Sequence, residues 1–250
     1  MKLGKQLPTK PASGYSSILH LIFVFALPMF LYVLVRLDFV IFAYIALILS
    51  KWRMFAIRMR HWPAIFRANA VDLLFGASIV TFMGIAQTQF IQLTYAAIYI
   101  LWLLLLKPKS STLYIGLQAL LAHAVALTAI FLTWSEYTTS LLVFATAVIG
   151  YLSARHFMAA YDESMARAIA YVWSLFASGI AWLAGHWLTF YGPVAQPALI
   201  LIVISYSMAA LYYLDHRDRL TGSLRFQFLG IMTAILLFIF IFSDWSGEII

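Results

Sequence analysis

The sequence predicts an all-α, polytopic transmembrane helix bundle of about nine spans, with seven to nine compatible with the pattern, N-terminus cytoplasmic and C-terminus outside. Three observations carry this reading. The 250 residues are 64% apolar and 10% charged, with a mean hydropathy of +0.94, whereas soluble domains carry about 25% charged residues. Apolar runs of bilayer-spanning length recur along the whole chain, leaving no room for a soluble domain. The cations lie between those runs, and on alternate counting almost all fall on one side.

Residues 1–16 carry Lys2, Lys5 and Lys10 with Pro8 and Pro11, and read as a flexible basic cytoplasmic tail; residues 17–250 form a single transmembrane domain. The first run, 17–35, is too long for a signal-peptide core and lacks a small-x-small exit, so it is expected to stay as an uncleaved span. Pro28 favours a kink within it. The second run, 37–50, is short against the roughly twenty residues a bilayer needs, so either it starts inside the Arg36-Leu-Asp38 turn or the first two spans form a tilted or partly re-entrant hairpin. The remaining spans are expected at 70–87, 91–106, 111–133, 139–154, 168–190, 195–213 and 227–244.

Between the second and third spans lies the one long basic interruption, Lys51–Arg67. As a helix it would place Trp52, Phe55, Ala56, Met59 and Trp62 on one face, at i, i+3, i+4, i+7 spacing, with cations at the edges. Such a segment suits the headgroup layer, its rings in the acyl boundary and its cations on anionic lipid. Lys51, Trp52, Arg53, Arg58, Arg60, Trp62 and Arg67 are therefore the candidate lipid-binding residues, and anionic lipid at the cytoplasmic face is the expected partner. The simpler reading is a cytoplasmic loop that obeys the positive-inside rule. Pro63 is expected to separate this segment from the third span, which Asn69 would cap, leaving Asp72 in a first turn where a carboxylate suits the helix dipole.

Lys107-Pro108-Lys109 closes a tight helical hairpin, with proline stopping the helix and cations at its C-terminus. Small residues mark close helix contacts: Ala119, Ala122, Ala126 and Ala129 on the fifth span, Ala147, Gly150 and Ala154 on the sixth, Ala177, Ala181 and Gly185 on the seventh. These faces are expected to meet one another. Trp134, Trp187 and Trp245 are assigned to the outer interface, and Trp52, Trp62 and Trp173 to the inner one.

Ionisable groups deep in a bilayer are costly and therefore informative. His123 lies near the middle of the fifth span, with Gln118 and Thr128 about one and a half turns to either side. With Gln87 and Gln92, His123 and Gln118 are the candidates for a polar pathway. A neutral imidazole bonded between helices is the plainer account, since no buried carboxylate is expected to couple to it. His186, one turn after Trp182, is expected at the outer interface. The inner side carries two mixed clusters, in which His156, Asp162, Glu163, Asp215, His216 and Asp218 are the weak metal-ligand candidates. If the eighth helix continues, Asp215 also pairs with Arg219 at i+4.

Several function classes fall away. The chain has no cysteine, hence no disulfide, thiol nucleophile or cysteine-ligated cluster. It has no G-x-S-x-G, H-E-x-x-H or P-loop, and no lysine within a span to carry retinal. The net charge of +7 is explained by topology rather than by nucleic acid. No cofactor is expected; a membrane-protein partner or a homo-oligomer is compatible with the pattern. The phrasing of Lys51–Asp72 and of Tyr151–Asp162 resembles uncharacterised bacterial inner-membrane proteins, which implies a plasma-membrane location and no particular activity. Three readings remain: a non-catalytic membrane subunit or scaffold, a small-solute or ion transporter with a polar pathway near His123, and a lipid-directed enzyme using the inner Asp/His clusters. The first is preferred.

Fifteen of the sixteen cations fall on one side of this layout, leaving Arg36 outside. A reporter fused after Lys109 is therefore expected in the cytoplasm and one fused after Ile250 outside. Finding both on one side would put the span count out by an odd number.

Overall fold

The computed structural model describes residues 15–51 and 59–243, with side chains from Leu21 onward except that of Pro63. Trp52, Arg53 and Arg58 of the basic segment lie outside the described residues, as do Trp245 and nearly all of the basic tail. Among the described residues there are nine α-helices: α1 Tyr15–Arg36, α2 Val40–Leu49, α3 Trp62–Ile85, α4 Gln89–Leu101, α5 Thr112–Trp134, α6 Thr139–Ala159, α7 Ala166–Ala184, α8 Gln196–His216 and α9 Gly222–Ile241. Seven of them, α3 to α9, are long and apolar enough to cross a membrane, α4 by running on through a further turn to Leu106. The protein is thus an all-helical, multi-pass membrane protein by length and composition. α1 and α2 are also apolar and pack together as a hairpin, and α2 has only ten residues.

Several boundaries differ from the sequence reading, for local reasons. α3 starts at Trp62 rather than near residue 70. Pro63 falls in its first turn, where a missing N–H costs nothing. Pro63 therefore opens this helix instead of separating it from a preceding one. Asn69 lies inside α3 and donates back to the Ile65 carbonyl at 2.9 Å, so it caps nothing. Met59–His61 form a 3₁₀ turn that leads directly into α3, and residues 52–58 of the expected amphipathic segment lie outside the described residues. α7 stops at Ala184, earlier than expected, with Gly185 closing it. The chain then makes a small antiparallel hairpin, Phe190–Tyr191 against Val194–Ala195, turned at Gly192, whose φ of 63° suits glycine. α8 ends at His216, so Asp215 and Arg219 do not share a helix face.

The core is built in three parts, the smallest gathered around Phe157, Met158 and Tyr161. Of the larger two, one joins α1, α2, α3 and α4 around Leu31, Leu47, Ile79, Met83 and Tyr99; the other joins α5 to α8 around Leu127, Phe131, Leu142 and Leu201. α3 and α5 pack against each other and connect these two. All four alanines of the α5 stripe are buried. α6 and α7 make the closest approach: a Cβ at Gly150 would sit 3.4 Å from that of Ala177, and Ser174 Oγ donates to the Ala147 carbonyl at 2.7 Å. Close backbone approach replaces the hydrophobic drive that lipid cannot supply. α9 packs along α8 and leaves most of its apolar surface uncovered.

Contacts between loops show that the cation-bearing connections share one end of the bundle. Lys51 and Lys107 reach the same carboxylate on α3. Gly116, just after the 107–111 turn, lies against Phe157 near the end of α6, and Glu163 bonds Tyr212 near the end of α8.

Gly76 makes the α2–α3–α4 packing possible, since a Cβ there would lie 2.7 Å from Leu47 Cδ1 and 2.8 Å from the Tyr99 hydroxyl. Overpacking of this kind typically costs about 1–3 kcal/mol. Gly76→Leu is expected to lower thermal stability in detergent accordingly, while Gly179→Leu, where a Cβ meets nothing within 4 Å, is expected to be neutral. Equal effects of the two would contradict this packing.

Candidate functional site

Two places gather polar side chains inside the bundle. The first is centred on Asp72, which lies ten residues into α3 and is 8% exposed. One carboxylate oxygen accepts from Lys51 Nζ and from Lys107 Nζ, the latter at 2.6 Å, and the other accepts from Trp102 Nε1 at 3.0 Å. Asp72 is thus a buried ion-pair centre, not a first-turn residue answering the helix dipole. Lys51 likewise turns inward, its side chain 10% exposed, rather than outward to lipid.

The geometry depends on an irregularity that residue periodicity does not announce. After Leu101 the helix widens into a π turn, Trp102–Leu106, closed by the Lys107 N–H on the Trp102 carbonyl at 3.0 Å. Such turns recur at functional positions because they re-aim side chains. This one presents Trp102 and Lys107 to the same carboxylate. Trp102 is also stacked on Phe75, 3.9 Å between ring centroids, one turn along α3 from Asp72. Burial is the main influence on Lys51 and pulls its pKa down to about 8; attraction to Asp72 opposes this and repulsion from Lys107 adds to it.

The second place is His123, 2% exposed on α5. It lines a cavity of about 220 Å³ walled by α5, α6, α7 and α8, with Ser153, Phe157, Trp173, Met208 and Tyr212 among its lining residues. Trp173, assigned to the inner interface by sequence, instead packs on the imidazole with ring centroids 6.0 Å apart. Among the described residues, neither nitrogen of His123 finds a hydrogen-bond partner, and neither does the Ser153 hydroxyl.

The other pathway candidates go elsewhere. Gln118 donates to the carbonyls of Leu106 and Lys109 at 2.6 and 3.1 Å, tying α5 to the preceding turn. Gln92 donates to Met83 at 3.1 Å and holds the end of α3. Gln87 is exposed and borders a different cavity, of about 500 Å³, together with Thr128. Thr128 also donates to Ala124 of its own helix at 2.8 Å. Residues five apart on an α-helix are rotated by about 140°, so Gln118, His123 and Thr128 face different surroundings.

At the basic end, Glu163 accepts from Tyr212 at 2.8 Å, and that bond is the main reason its carboxyl lies below the usual range. Tyr161 packs edge-on against both Tyr212 and His216, with burial raising its hydroxyl pKa. Asp162 and Asp218 occupy left-handed turn positions. Among the described residues, no three histidine, aspartate or glutamate side chains come together to hold a metal ion, so His156, Asp162, Glu163, Asp215, His216 and Asp218 do not form one site. His186 is exposed and contacts the Trp182 carbonyl and ring at the far end of α7.

Compared with known proteins, the chain matches no family model, no curated protein and no solved structure.

The depressed Lys51 pKa has a signed consequence. Below pH 8 both folded and unfolded chains carry this proton; between about 8 and 10.5 the unfolded chain keeps it and the folded chain releases it. Stability contributed through this residue therefore rises with pH across that window. Denaturation of the protein and of Lys51→Met from pH 7.5 to 10.5 is expected to show the difference moving in favour of the protein. A flat difference would place the Lys51 pKa at its ordinary value.

Proposed function

We propose that this protein is a non-catalytic membrane subunit or scaffold, oriented with its basic end in the cytoplasm. One observation carries the reading: several polar side chains within the spans hold helices together. Asp72 bonds three other side chains, Gln118 and Gln92 bond the ends of neighbouring helices, and Ser174 bonds α6. A transporter instead needs polar groups lined along one route, but His123 and Gln87 border separate cavities. A hydrolytic or metal-dependent enzyme needs convergent carboxylates or histidines, and the described residues bring no such group together. The uncovered face of α9 is suited to lipid or to a membrane partner. The location we favour is a bacterial plasma membrane, on the sequence resemblance alone.

Flux measurements separate this reading from the transporter. The purified protein in vesicles loaded with a pH-sensitive dye is expected to leak protons no faster than protein-free vesicles, and His123→Gln is expected to behave identically. Gln cannot carry a proton near neutral pH. Flux above background in the protein, lost in His123→Gln with folding intact, would establish a transporter instead.

A further inference from the structure

We propose that the cavity at His123 binds a neutral, lipid-dissolved ring compound bearing a carbonyl or hydroxyl oxygen, the chemistry of a quinone or phenol headgroup. Buried polar groups are nearly always hydrogen-bonded in native proteins. Here His123, 2% exposed, and Ser153, 4% exposed, line one cavity with no partner among the described residues. The other two hydroxyls on the wall are already committed, Ser205 to the Ile202 carbonyl at 3.0 Å and Tyr212 to Glu163 at 2.8 Å. Three polar atoms on two side chains, the His123 nitrogens and the Ser153 hydroxyl, therefore remain for a ligand. A neutral imidazole offers one donor and one acceptor, and a serine hydroxyl either role. That set satisfies a carbonyl or a hydroxyl oxygen.

The rest of the wall sets the body of the ligand. It contains no Asp, Glu, Lys or Arg, so a charged ligand would be desolvated without compensation. Phe157 and Trp173 supply aromatic surface for a flat ring. The volume of about 220 Å³ exceeds the roughly 150 Å³ of an apolar cavity that takes up benzene, which suits one or two fused rings. Met208, also on the wall, is 53% exposed on α8. The cavity therefore reaches the outer surface of the bundle, where in a membrane the solvent is lipid. A ligand dissolved in the bilayer can arrive sideways.

The test uses the full chain in nanodiscs with three probes of similar shape: 1-naphthol, 2-methyl-1,4-naphthoquinone and naphthalene. Binding is read by tryptophan quenching and by thermal shift, corrected with empty nanodiscs. The chain has no cysteine for the quinone to alkylate. At least one oxygenated probe is expected to bind tenfold or more tightly than naphthalene, and which one identifies the oxygen as carbonyl or hydroxyl. His123→Leu is expected to abolish that advantage while naphthalene still binds; Ala209→Leu, which fills the wall, is expected to weaken all three. Equal affinities for the three probes in the unaltered protein would overturn the proposal, whatever the variants do. So would an advantage that survives His123→Leu in a folded protein, or binding untouched by Ala209→Leu.

Discussion

Asp72 accepts hydrogen bonds from groups that lie 21, 30 and 35 residues away along the chain, and the organisation of the basic end rests on that convergence. A lone carboxylate inside a span would be costly, and so would the inward-turned Lys51, whereas Lys107 reaches the carboxylate from a side chain that is 41% exposed. Together, with an indole N–H on the second oxygen, each offsets the burial of the others. Removing Asp72 would leave the buried Lys51 without its carboxylate, a loss that typically costs about 3–5 kcal/mol for a buried pair. The cluster therefore locks the α2–α3 connection and the α4–α5 turn onto α3 in one arrangement. Trp102 and Lys107 can both reach it because the π turn alters the rotation between them.

From this anchored end the bundle extends by a different principle. Between lipid-exposed helices no water is released on contact, so association depends on how closely backbones approach. α6 and α7 follow this through Gly150, Ala177 and the Ser174 bond to Ala147. α5 buries its alanines on one side and, further round, presents His123 to α6, α7 and α8. The two behaviours meet on α5, whose first turns are tied down by Gln118 and whose middle faces a cavity. Rigidity at the basic end and open space at mid-depth are thus properties of one helix.

Polarity inside the spans divides along the same line. Asp72, Gln118 and Ser174 are bonded and structural, and Gln92 is bonded through its amide N–H alone, while His123 and Ser153, among the buried groups with no partner among the described residues, share a cavity. Satisfied groups fix packing, whereas unsatisfied groups facing space are available to a ligand. That division separates the scaffold reading from the binding site proposed within it. It also explains why counting polar residues along the sequence overstates a pathway: residue type is shared, but hydrogen-bond state is not.

The sequence by itself determined that the chain is helical and multi-pass, where most apolar stretches begin and end, where the hairpin at Lys107–Lys109 turns, and that the alanine stripe of α5 is buried. These properties are legible because a bilayer acts as a uniform solvent: hydropathy, length and small-residue spacing are local sums that lipid reads in the same way wherever they occur. One further signal was present in the residues, since Asp72 is the only acid between Asp38 and Glu136 in a stretch crowded with cations. The five-residue spacing of Gln118, His123 and Thr128 likewise already excluded a shared face. The tertiary structure alone decided that Lys51 and Lys107 meet on Asp72, that Gln118 bonds a turn, that Trp173 packs on the imidazole, and that His123 opens on a cavity. Each of these depends on which helices become neighbours and on their rotation, and on a backbone departure at Trp102–Leu106. Pairing across such separations has no local signature, because its free energy comes from a partner supplied by a distant part of the chain.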